Sequence, residues 1–387
     1  MTAVAHPHVA IACGGTGGHL FPGVAVGESV LSLGGSVTLL VSSKEVDQQA
    51  VRGLRDMEVL TLPAVALQGR NLVRFLRALW ASRRAAIRAF RARRPDVVLA
   101  MGGFTSAGPI LAARAVGAAT CLHESNTVPG RANRWLAPLA DACCVGFPVA
   151  AERLRNRRVY PTGTPVRSRF EALDPEGCRT ALGLDPLRPV LAVMGGSQGA
   201  SGLNAAVVAA LPALVARWPA MQYVHLAGER DFESVRAAHA AARTRAWVRP
   251  FCAEMEWVLG AATVAIARSG ASTLAEFAAM AVPSVLVPLP TSADNHQFHN
   301  AAAFAASGAA VLLEQRHATT EAVVAATMPF LESDRHRAAA ARAAAAWHRP
   351  LAAADIANRV VALASERAGR NGRAPRAVAN PGPAPVA

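Results

Sequence analysis

The chain has 387 residues, a formal net charge of +14 and six cysteines. This length accommodates two domains of ordinary size, and the charge favours phosphorylated substrates, nucleic acid or an anionic membrane surface as partners. The cysteines show neither CxxC nor metal-ligand spacing, so we predict free, mostly buried thiols in a reducing compartment. A signal peptide is not predicted, and no run of about eighteen apolar residues predicts a membrane-spanning helix.

The first half of the chain alternates strands and helices, which is typical of a parallel sheet covered on both faces. It opens with a strand at Val9–Ala12 and a glycine-rich loop at Gly14–Gly18, and a helix is predicted from about Pro22. Further strands are predicted at 37–41, 97–103 and 119–125.

A basic segment without acidic residues lies between Leu60 and Pro95. Its apolar residues recur at helical spacing and predict an amphipathic helix: Leu72, Phe75, Leu76, Leu79 and Trp80. One interpretation is a helix packed on its sheet with a solvated arginine face. The other is a surface that enters an anionic membrane, with arginines on the lipid headgroups.

The second half repeats this organisation. A strand at 189–194, a glycine loop at Gly195–Ala200 and a helix come first, and further strands are predicted at 221–228, 247–251, 263–267 and 284–290. Two glycine-loop starts predict two Rossmann-like domains, joined near Tyr160–Val166. Residues 334–366 have a helical, alanine-rich pattern, and the last twenty or so, rich in Pro, Gly, Ala and Arg, are predicted to be disordered.

The stretch Ala267–Ala301 is the best candidate for a binding site. A strand ends at Arg268-Ser269-Gly270, and a helix is predicted to follow at once, with Glu276 in its first turn. The apolar face of that helix is predicted to contain Leu274, Phe277, Ala278 and Ala281. Such a turn directs backbone N–H groups and the positive helix end at an anion. The alternative is an ordinary βαβ unit whose Ser and Thr residues only cap a helix.

The N-terminal glycine loop ends in His19, at the entrance of a helix. It has neither the spacing of the dinucleotide fingerprint nor a Walker Gly-Lys-Ser/Thr, so we predict no NAD site and no P-loop. His19 is a candidate general base, and its alternative role is to cap the helix or bond to backbone. Arg167 is a candidate for neutralising a pyrophosphate leaving group, and its alternative is an exposed linker arginine.

The chain resembles one family, the bacterial N-acetylglucosaminyltransferases of peptidoglycan synthesis, in seven motifs. These run in order between about His8 and about Glu366: GGTGGHLFPGVAV, GGF after a strand, HESNTVPGRANRWLA, GTPVR, GGSQGASGLN, RSGASTLAE and DNHQFHNA. The family moves N-acetylglucosamine from its UDP donor to undecaprenyl-diphospho-N-acetylmuramoyl-pentapeptide (lipid I), giving lipid II. The resemblance implies an α/β, B-type fold, in which two Rossmann-like domains with parallel sheets face each other across a cleft.

The resemblance also implies domain limits and roles for individual residues. It divides the chain into an acceptor-side domain (1–166, with a returning helix at 350–366), a UDP-sugar domain (167–349) and a tail (367–387). The implied donor contacts are Thr16, Gly17, Gly18, Asn126, Arg167, Ser197, Cys252, Ala271, Ser272, Thr273, Leu274, Ala275, Glu276 and Gln297. Our candidate for the base is His19, and the alternative is an Asp or Glu on the acceptor side. Among these, Asn126 and Gln297 match sugar contacts, Glu276 a ribose contact, and Cys252 a backbone contact to uracil.

Three positions depart from the family's usual pattern. Thr164 stands where Asn is usual, Phe104 where Tyr is common, and Cys252 where an aliphatic residue is more usual. None removes a group that the chemistry needs, although the missing phenol at Phe104 removes a polar contact from the acceptor cleft.

The implied reaction inverts the anomeric carbon and, by our interpretation of the motifs, needs no metal and no cofactor. The implied location is the cytoplasmic face of the bacterial membrane, with peripheral attachment. Two enzymatic alternatives are a UDP-N-acetylglucosamine 2-epimerase and a B-type transferase with another lipid acceptor. A non-catalytic nucleic-acid or membrane-binding protein is disfavoured, and no nucleic-acid partner is predicted, because the arginine cluster lacks interleaved aromatic platforms.

Overall fold

The computed structural model describes residues 6–15, 17–44, 47–48, 51–52, 54–63, 72–196 and 199–370. For residues 72 and 74 it describes the backbone but not the side chain. The strands of the N-terminal sheet are β1 (His8–Ala12), β2 (Ser36–Val41), β3 (Glu58–Thr61), β4 (Val97–Ala100), β5 (Ala119–Glu124), β6 (Ala142–Val145) and β7 (Val159–Pro161). Those of the C-terminal sheet are β8 (Val190–Met194), β9 (Gln222–Leu226), β10 (Arg245–Arg249), β11 (Val264–Ala267), β12 (Ser284–Leu286) and β13 (Ala310–Leu312).

Helices connect and cover the strands in both halves. The α-helices are α1 (Gly17–Ser32), α2 (Leu72–Ala92), α3 (Ala107–Val116), α4 (Arg131–Leu136), α5 (Pro175–Ala181), α6 (Ser201–Arg217), α7 (Phe232–Ala241), α8 (Met255–Ala261), α9 (Ala271–Ala279), α10 (His296–Ala306), α11 (Thr320–Glu332), α12 (Asp334–Trp347) and α13 (Ala352–Arg370). Short 3-10 turns occupy Ala137–Leu139, Pro148–Arg153, Ala293–Asn295 and Gln315–His317. Within the described ranges, none of the helices combines the length and apolar character needed to cross a membrane.

Every pair of neighbouring strands is parallel. The strand orders are β3-β2-β1-β4-β5-β6-β7 and β10-β9-β8-β11-β12-β13. In each sheet the direction of winding reverses once, between β1 and β4 and between β8 and β11. The carboxyl ends of strands at such a reversal form the crevice in which open α/β sheets bind ligands.

Both faces of each sheet are buried, because successive side chains of a strand point to opposite sides. In β1, Val9 and Ile11 belong to one apolar cluster, and Ala10 and Ala12 belong to another on the opposite face. Helix α13 contributes residues such as Ile356 and Val360 to the first of these clusters, so the last helix packs on the N-terminal sheet. All six cysteines are free and buried, as the sequence predicts.

The structure differs from the sequence-based expectations at several element ends. Helix α1 begins at Gly17 rather than near Pro22, because two glycines form its first turn and the proline lies within the helix. Helix α13 runs to Arg370 and so includes the first residues of the predicted disordered tail, where the Arg367 guanidinium donates to the Gly117 carbonyl. The rest of that tail, 371–387, lies outside the described residues. Strands β3, β6, β7 and β13 are not predicted by the sequence pattern.

Candidate active site

The candidate residues from the two halves meet at the carboxyl ends of the central strands. His19 follows β1, Asn126 follows β5, and Ser269 follows β11. Several hydrogen bonds join the halves directly. Among them, the Ser272 hydroxyl donates to the Gly18 carbonyl at 2.9 Å, and the Asn300 side-chain amide donates to Asn126 Oδ1 at 3.0 Å. The structure therefore brings the N-terminal and C-terminal candidates together. We call the boundary between the halves that these hydrogen bonds cross the seam.

The first glycine turn is held by side chains of its own half. The buried Asp47 carboxylate accepts from the Gly15 N–H at 2.6 Å, and the Thr105 hydroxyl donates to the Gly14 carbonyl at 2.7 Å. Lys44 Nζ donates to the Gly15 carbonyl at 3.0 Å. A Cβ on Gly14 would lie 2.4 Å from the Ser42 backbone nitrogen, so only glycine fits there. Thr16, a predicted donor contact, lies outside the described residues.

His19 is packed against the Gly102-Gly103 backbone, which follows β4. A Cβ on Gly102 would lie 3.1 Å from His19 Nε2, and one on Gly103 would lie 3.0 Å from Cε1. Both glycines have positive φ values, 109° and 75°, which favour glycine for a second reason. Burial lowers the pKa of His19 below its ordinary value, against the opposing effect of the Glu124 and Asp47 carboxylates. The imidazole is therefore neutral at pH 7, as a general base must be.

Pro22 explains why the Gly18 carbonyl reaches the other half of the molecule. In an α-helix this carbonyl would accept from the N–H of residue 22, but proline has none. The Gly18 carbonyl accepts instead from the Ser272 hydroxyl of α9. The proline thus frees a backbone acceptor, the Gly18 carbonyl, for a contact between the halves.

Asn126 is held in place by Glu124 at the end of β5. Glu124 Oε1 accepts from both the backbone and the side-chain nitrogen of Asn126, each at 2.9 Å. Its Oε2 accepts from the Gly130 N–H at 2.8 Å and from Asn133 Nδ2 at 2.9 Å. Both carboxylate oxygens are therefore engaged in fixing the loop that carries Asn126.

Helix α9 presents its first turn to the seam. Its N-cap is Gly270, in extended backbone (φ −62°, ψ 141°), and no side chain of the described residues caps the first N–H groups. Ala271 and Leu274 pack into the C-terminal core, whereas Ser272, Thr273 and Ala275 are half-buried. Four or so unsatisfied N–H groups and the positive helix end make this turn suitable for an anion such as a diphosphate.

Two details of α9 differ from expectation. Glu276 lies in the second helical turn, not the first, since the helix begins at Ala271. Ala281 is not on the buried helix face: the helix ends at Ala279, and Ala281 has a positive φ of 52°. There the Val282 N–H donates to the Phe277 carbonyl, which closes the helix end in a Schellman-type arrangement.

Glu276 and Arg167 lie close enough to each other to interact electrostatically. Burial raises the pKa of Glu276 to about 7, and the positive charge of Arg167 opposes that rise. The Arg167 guanidinium lies 4.2 Å from the ring centre of Phe21 and 5.2 Å from that of Phe170. Its Nε is buried and has no hydrogen-bond partner among the described residues. Arg167 is therefore not an exposed linker arginine.

Gln297 and Cys252 take up different orientations. Gln297 Oε1 accepts from the Leu289 N–H at 2.9 Å, so the Nε2 group is the remaining donor of this side chain. The Gln297 carbonyl accepts from the Ser269 hydroxyl at 2.7 Å. The Cys252 side chain is buried in the C-terminal core, so its thiol is not placed for a ligand contact. Ser197 lies outside the described residues.

Sequence reasoning missed four residues that hold the seam or the first glycine turn: Asp47, Lys44, Glu124 and Asn300. Glu124 carried a usable signal, because a carboxylate at the end of a buried strand requires hydrogen-bond donors. Asn300 lies in the DNHQFHNA motif, but nothing in that motif indicates its distant partners, and Asp47 and Lys44 carried no signal.

Two parallel α/β halves with a glycine turn, a histidine and a helix N-terminus at their facing strand ends define the class of fold: the B-type architecture of nucleotide-sugar enzymes. Residues 9–145 match the glycosyltransferase family 28 N-terminal domain, and residues 190–360 match the glycosyltransferase family 28 C-terminal domain.

The chain is similar along its length to a UDP-N-acetylglucosamine--N-acetylmuramyl-(pentapeptide) pyrophosphoryl-undecaprenol N-acetylglucosamine transferase of Anaeromyxobacter sp. (34% identity; 97% of each chain). A protein of the same name from Acidithiobacillus ferrooxidans is 41% identical over 79% of this chain and 84% of its own. The crystal structure of Acinetobacter baumannii MurG superposes with a TM-score of 0.71 at 26% identity, covering 92% of this chain and 99% of its own.

The chain therefore belongs to glycosyltransferase family 28, in the group of lipid II-forming N-acetylglucosaminyltransferases. The family and the fold predicted from the motifs are confirmed. The 2-epimerase alternative is not favoured, because these curated relatives are named as transferases.

Proposed function

We propose that the protein transfers N-acetylglucosamine from UDP-N-acetylglucosamine to the C4 hydroxyl of undecaprenyl-diphospho-N-acetylmuramoyl-pentapeptide, with inversion, to form lipid II. The names of its relatives support this substrate pair. The observation that carries the proposal is the seam itself: the helix that bears His19 touches the first turn of α9 through the Gly18–Ser272 hydrogen bond of 2.9 Å. A base and an anion-binding turn are thereby close enough to act on one sugar.

In this mechanism His19 removes the proton of the attacking hydroxyl. Its lowered pKa keeps the imidazole unprotonated at neutral pH, and a positioned base typically contributes about 10²–10⁴ in rate. Asn126 and Gln297 hold the sugar from opposite sides of the seam, and Glu276 accepts from the ribose hydroxyls.

The departing diphosphate is stabilised by the first turn of α9 and by Arg167. A partly buried helix terminus contributes up to about 2 kcal/mol, and a guanidinium adds charge-assisted hydrogen bonds. Preorganised donors of this kind substitute for a divalent ion. We therefore expect full activity in excess EDTA, and a loss of activity that Mg²⁺ restores would contradict this part of the mechanism.

The test is the release of UDP from UDP-N-acetylglucosamine, with and without a lipid I analogue. We expect release only with the acceptor, a fall in kcat of about 10²–10⁴ for His19→Ala with unchanged UDP affinity, and weaker UDP binding for Glu276→Ala. His317→Ala, an exposed histidine outside the seam, is the matched control. Acceptor-independent loss of the sugar nucleotide without UDP release would contradict the proposal.

We also propose that α2 docks on an anionic membrane at the cytoplasmic face, where a lipid-linked acceptor is found. The exposed apolar residues of this helix are Val73, Leu76 and Trp80, with exposed fractions of 68%, 51% and 58%. Exposed arginines continue the same face, and Arg84 lies over the Trp80 ring at 5.1 Å.

The apolar stripe predicted from the sequence is only partly on this face. Leu79 packs against the N-terminal core, and Phe75 is half-buried, so these two residues do not belong to the docking surface. Val73, Leu76 and Trp80 lie at helical spacing from one another, so these three side chains form the apolar part of the docking surface. Apolar side chains that enter the interface and arginines on anionic headgroups are the two components of such binding.

Liposome sedimentation tests the docking surface. We expect the wild type to pellet with anionic vesicles less completely as salt increases, and Leu76→Glu/Trp80→Glu to remain in the supernatant. Leu187→Glu is the matched control, since Leu187 is 78% exposed in the other half of the chain. Equal pelleting of all three proteins would exclude α2 as the docking surface.

For the division of the chain, we propose an acceptor-side domain of residues 1–166 with α13, and a UDP-sugar domain of residues 167–349. The packing of Ile356 and Val360 on the N-terminal sheet supports the assignment of α13 to the first domain.

A further inference from the structure

One buried amide connects the two groups that are proposed to hold the sugar. Asn300 lies in α10 and is fully buried. Its Oδ1 accepts from the Thr127 N–H and from the Thr127 hydroxyl, both at 3.0 Å. Its Nδ2 donates to Asn126 Oδ1 at 3.0 Å and to the Ser269 carbonyl at 3.2 Å.

This arrangement uses the full hydrogen-bonding capacity of an asparagine side chain, which is two acceptor sites and two donor hydrogens. The assignment of oxygen and nitrogen is unambiguous, because Oδ1 faces two donors and Nδ2 faces two acceptors. An aspartate has the same shape but no donor. Its carboxylate would face the oxygen atoms of Asn126 and Ser269 in the protein interior, with no hydrogen to donate to either of them.

The two groups that accept from Asn300 Nδ2 belong to opposite halves of the chain. Asn126 belongs to the N-terminal half, and the bond from Asn300 together with those to Glu124 fixes its amide. Ser269 belongs to the C-terminal half, and its hydroxyl donates to the Gln297 carbonyl at 2.7 Å. Asn300 thus connects, through one side chain, the segments that carry Asn126 and Gln297.

We propose that Asn300 is the positioning residue for the N-acetylglucosamine moiety: it aligns Asn126 with the Ser269–Gln297 segment across the seam without touching the donor. This inference rests on the proposed function, since it concerns recognition of the same sugar. It assigns to Asn300 an effect on the sugar that is larger than its effect on the uridine diphosphate.

The experiment compares the affinities for UDP-N-acetylglucosamine and for UDP by calorimetry in Asn300→Asp. We expect the affinity for UDP-N-acetylglucosamine to fall about tenfold and the affinity for UDP to change less than about twofold. In turnover, KM for the donor should rise together with a fall in kcat, because the sugar is held less well in both states.

Asn156→Asp is the matched control. Asn156 Nδ2 also donates to two carbonyls, of Ala137 and Ala140, at 2.7 and 2.8 Å, but at the back of the N-terminal half. Asn156→Asp makes the same chemical change away from the seam. We expect its affinities for UDP-N-acetylglucosamine and for UDP to stay at wild-type values. If Asn300→Asp does not fold, Asn300→Ala makes the same comparison without a buried charge.

A double-mutant cycle tests whether Asn300 acts through Asn126. In the Asn126→Ala background, Asn300→Asp should weaken binding of UDP-N-acetylglucosamine less than about threefold. Equal losses for UDP and UDP-N-acetylglucosamine in the single variant, or full additivity in the cycle, would overturn the inference. A wild-type protein that binds UDP but not UDP-N-acetylglucosamine would instead overturn the proposed function.

Discussion

The turn at Gly14–Gly18 and the turn at Ser269–Ala271 look alike in sequence: each follows a buried strand, contains small residues and begins a helix. In the structure the two turns differ in whether side chains already form hydrogen bonds with their backbone groups. The first turn is bonded to its own half, since Asp47 accepts from the Gly15 N–H and Lys44 donates to the Gly15 carbonyl. The second has no side-chain cap among the described residues.

This difference assigns separate tasks to the two turns. The Asp47 carboxylate and the Lys44 ammonium already bond to the first turn, so we expect this turn to act as a rigid support for His19 and not as the diphosphate site. The second turn keeps its N–H groups and positive helix end for an external anion. Resemblance between two glycine turns is therefore not evidence that both bind phosphate.

The largest effect should come from removing the support of the first turn. Asp47→Ala breaks hydrogen bonds to Gly15 and Ser42 and leaves buried N–H groups unsatisfied, so we expect a loss of about 3 kcal/mol in the free energy of unfolding. UDP affinity of the folded protein should be unchanged. Urea titration and calorimetry measure the two quantities, with exposed Asp56→Ala as the control. A loss of UDP affinity at unchanged stability would reverse the assignment of the two turns.

An intermediate effect should come from removing one N–H group of the second turn. Ala271 is the first residue of α9, a position where proline is tolerated, and Gly270 already has the extended backbone that precedes proline. Ala271→Pro should weaken UDP binding about tenfold, the value of one hydrogen bond to a charged group, at nearly unchanged melting temperature. Thr320→Pro, at the first position of α11, should leave UDP binding unaltered. Equal UDP affinities for Ala271→Pro and the wild type would exclude this turn as the diphosphate site.

The smallest effect should appear in the pH dependence of Glu276. Its folded pKa of about 7 lies above the unfolded value of 4.5, so the cost of burying its charge is fully present above pH 7 and absent below pH 4.5. A pKa difference of this size corresponds to about 3 kcal/mol, and solvent screening of the half-buried carboxylate reduces that value. Glu276→Gln should therefore stabilise the ligand-free protein by about 1–2 kcal/mol at pH 8 and hardly at all at pH 4.5.

The same residue should make UDP binding pH-dependent. Because the ionised carboxylate accepts best from the ribose hydroxyls, wild-type affinity should rise about fivefold between pH 6 and pH 8 beyond any rise seen for Glu276→Gln. Thermal unfolding and calorimetry at both pH values measure these changes. Identical pH profiles for the two proteins would remove Glu276 from the ribose site.

Much of this architecture is predictable from the sequence, because strand–turn–helix units are encoded locally. The apolar runs at Val9–Ala12 and Val264–Ala267, each followed by small residues, correctly predicted β1 and β11. The ends of elements were less predictable: proline usually begins a helix, yet Pro22 lies inside α1, where the seam uses the carbonyl that it frees.

What could not be predicted depends on packing between distant parts of the chain. Helical spacing placed Leu79 on the same stripe as Leu76, but it does not specify which edge of that stripe the sheet covers. Likewise, nothing near Asn300 in the sequence indicates Asn126 or Thr127 as partners. The roles of Thr16 and Ser197 remain predictions from the resemblance.

A crystal structure of the protein with UDP tests the central claim most directly, since it locates the diphosphate at one turn or the other. Our account predicts diphosphate oxygens about 3 Å from the backbone nitrogens of residues 271–273, with the ribose on Glu276. Diphosphate bound at Gly14–Gly18, with the first turn of α9 facing only solvent, would contradict it.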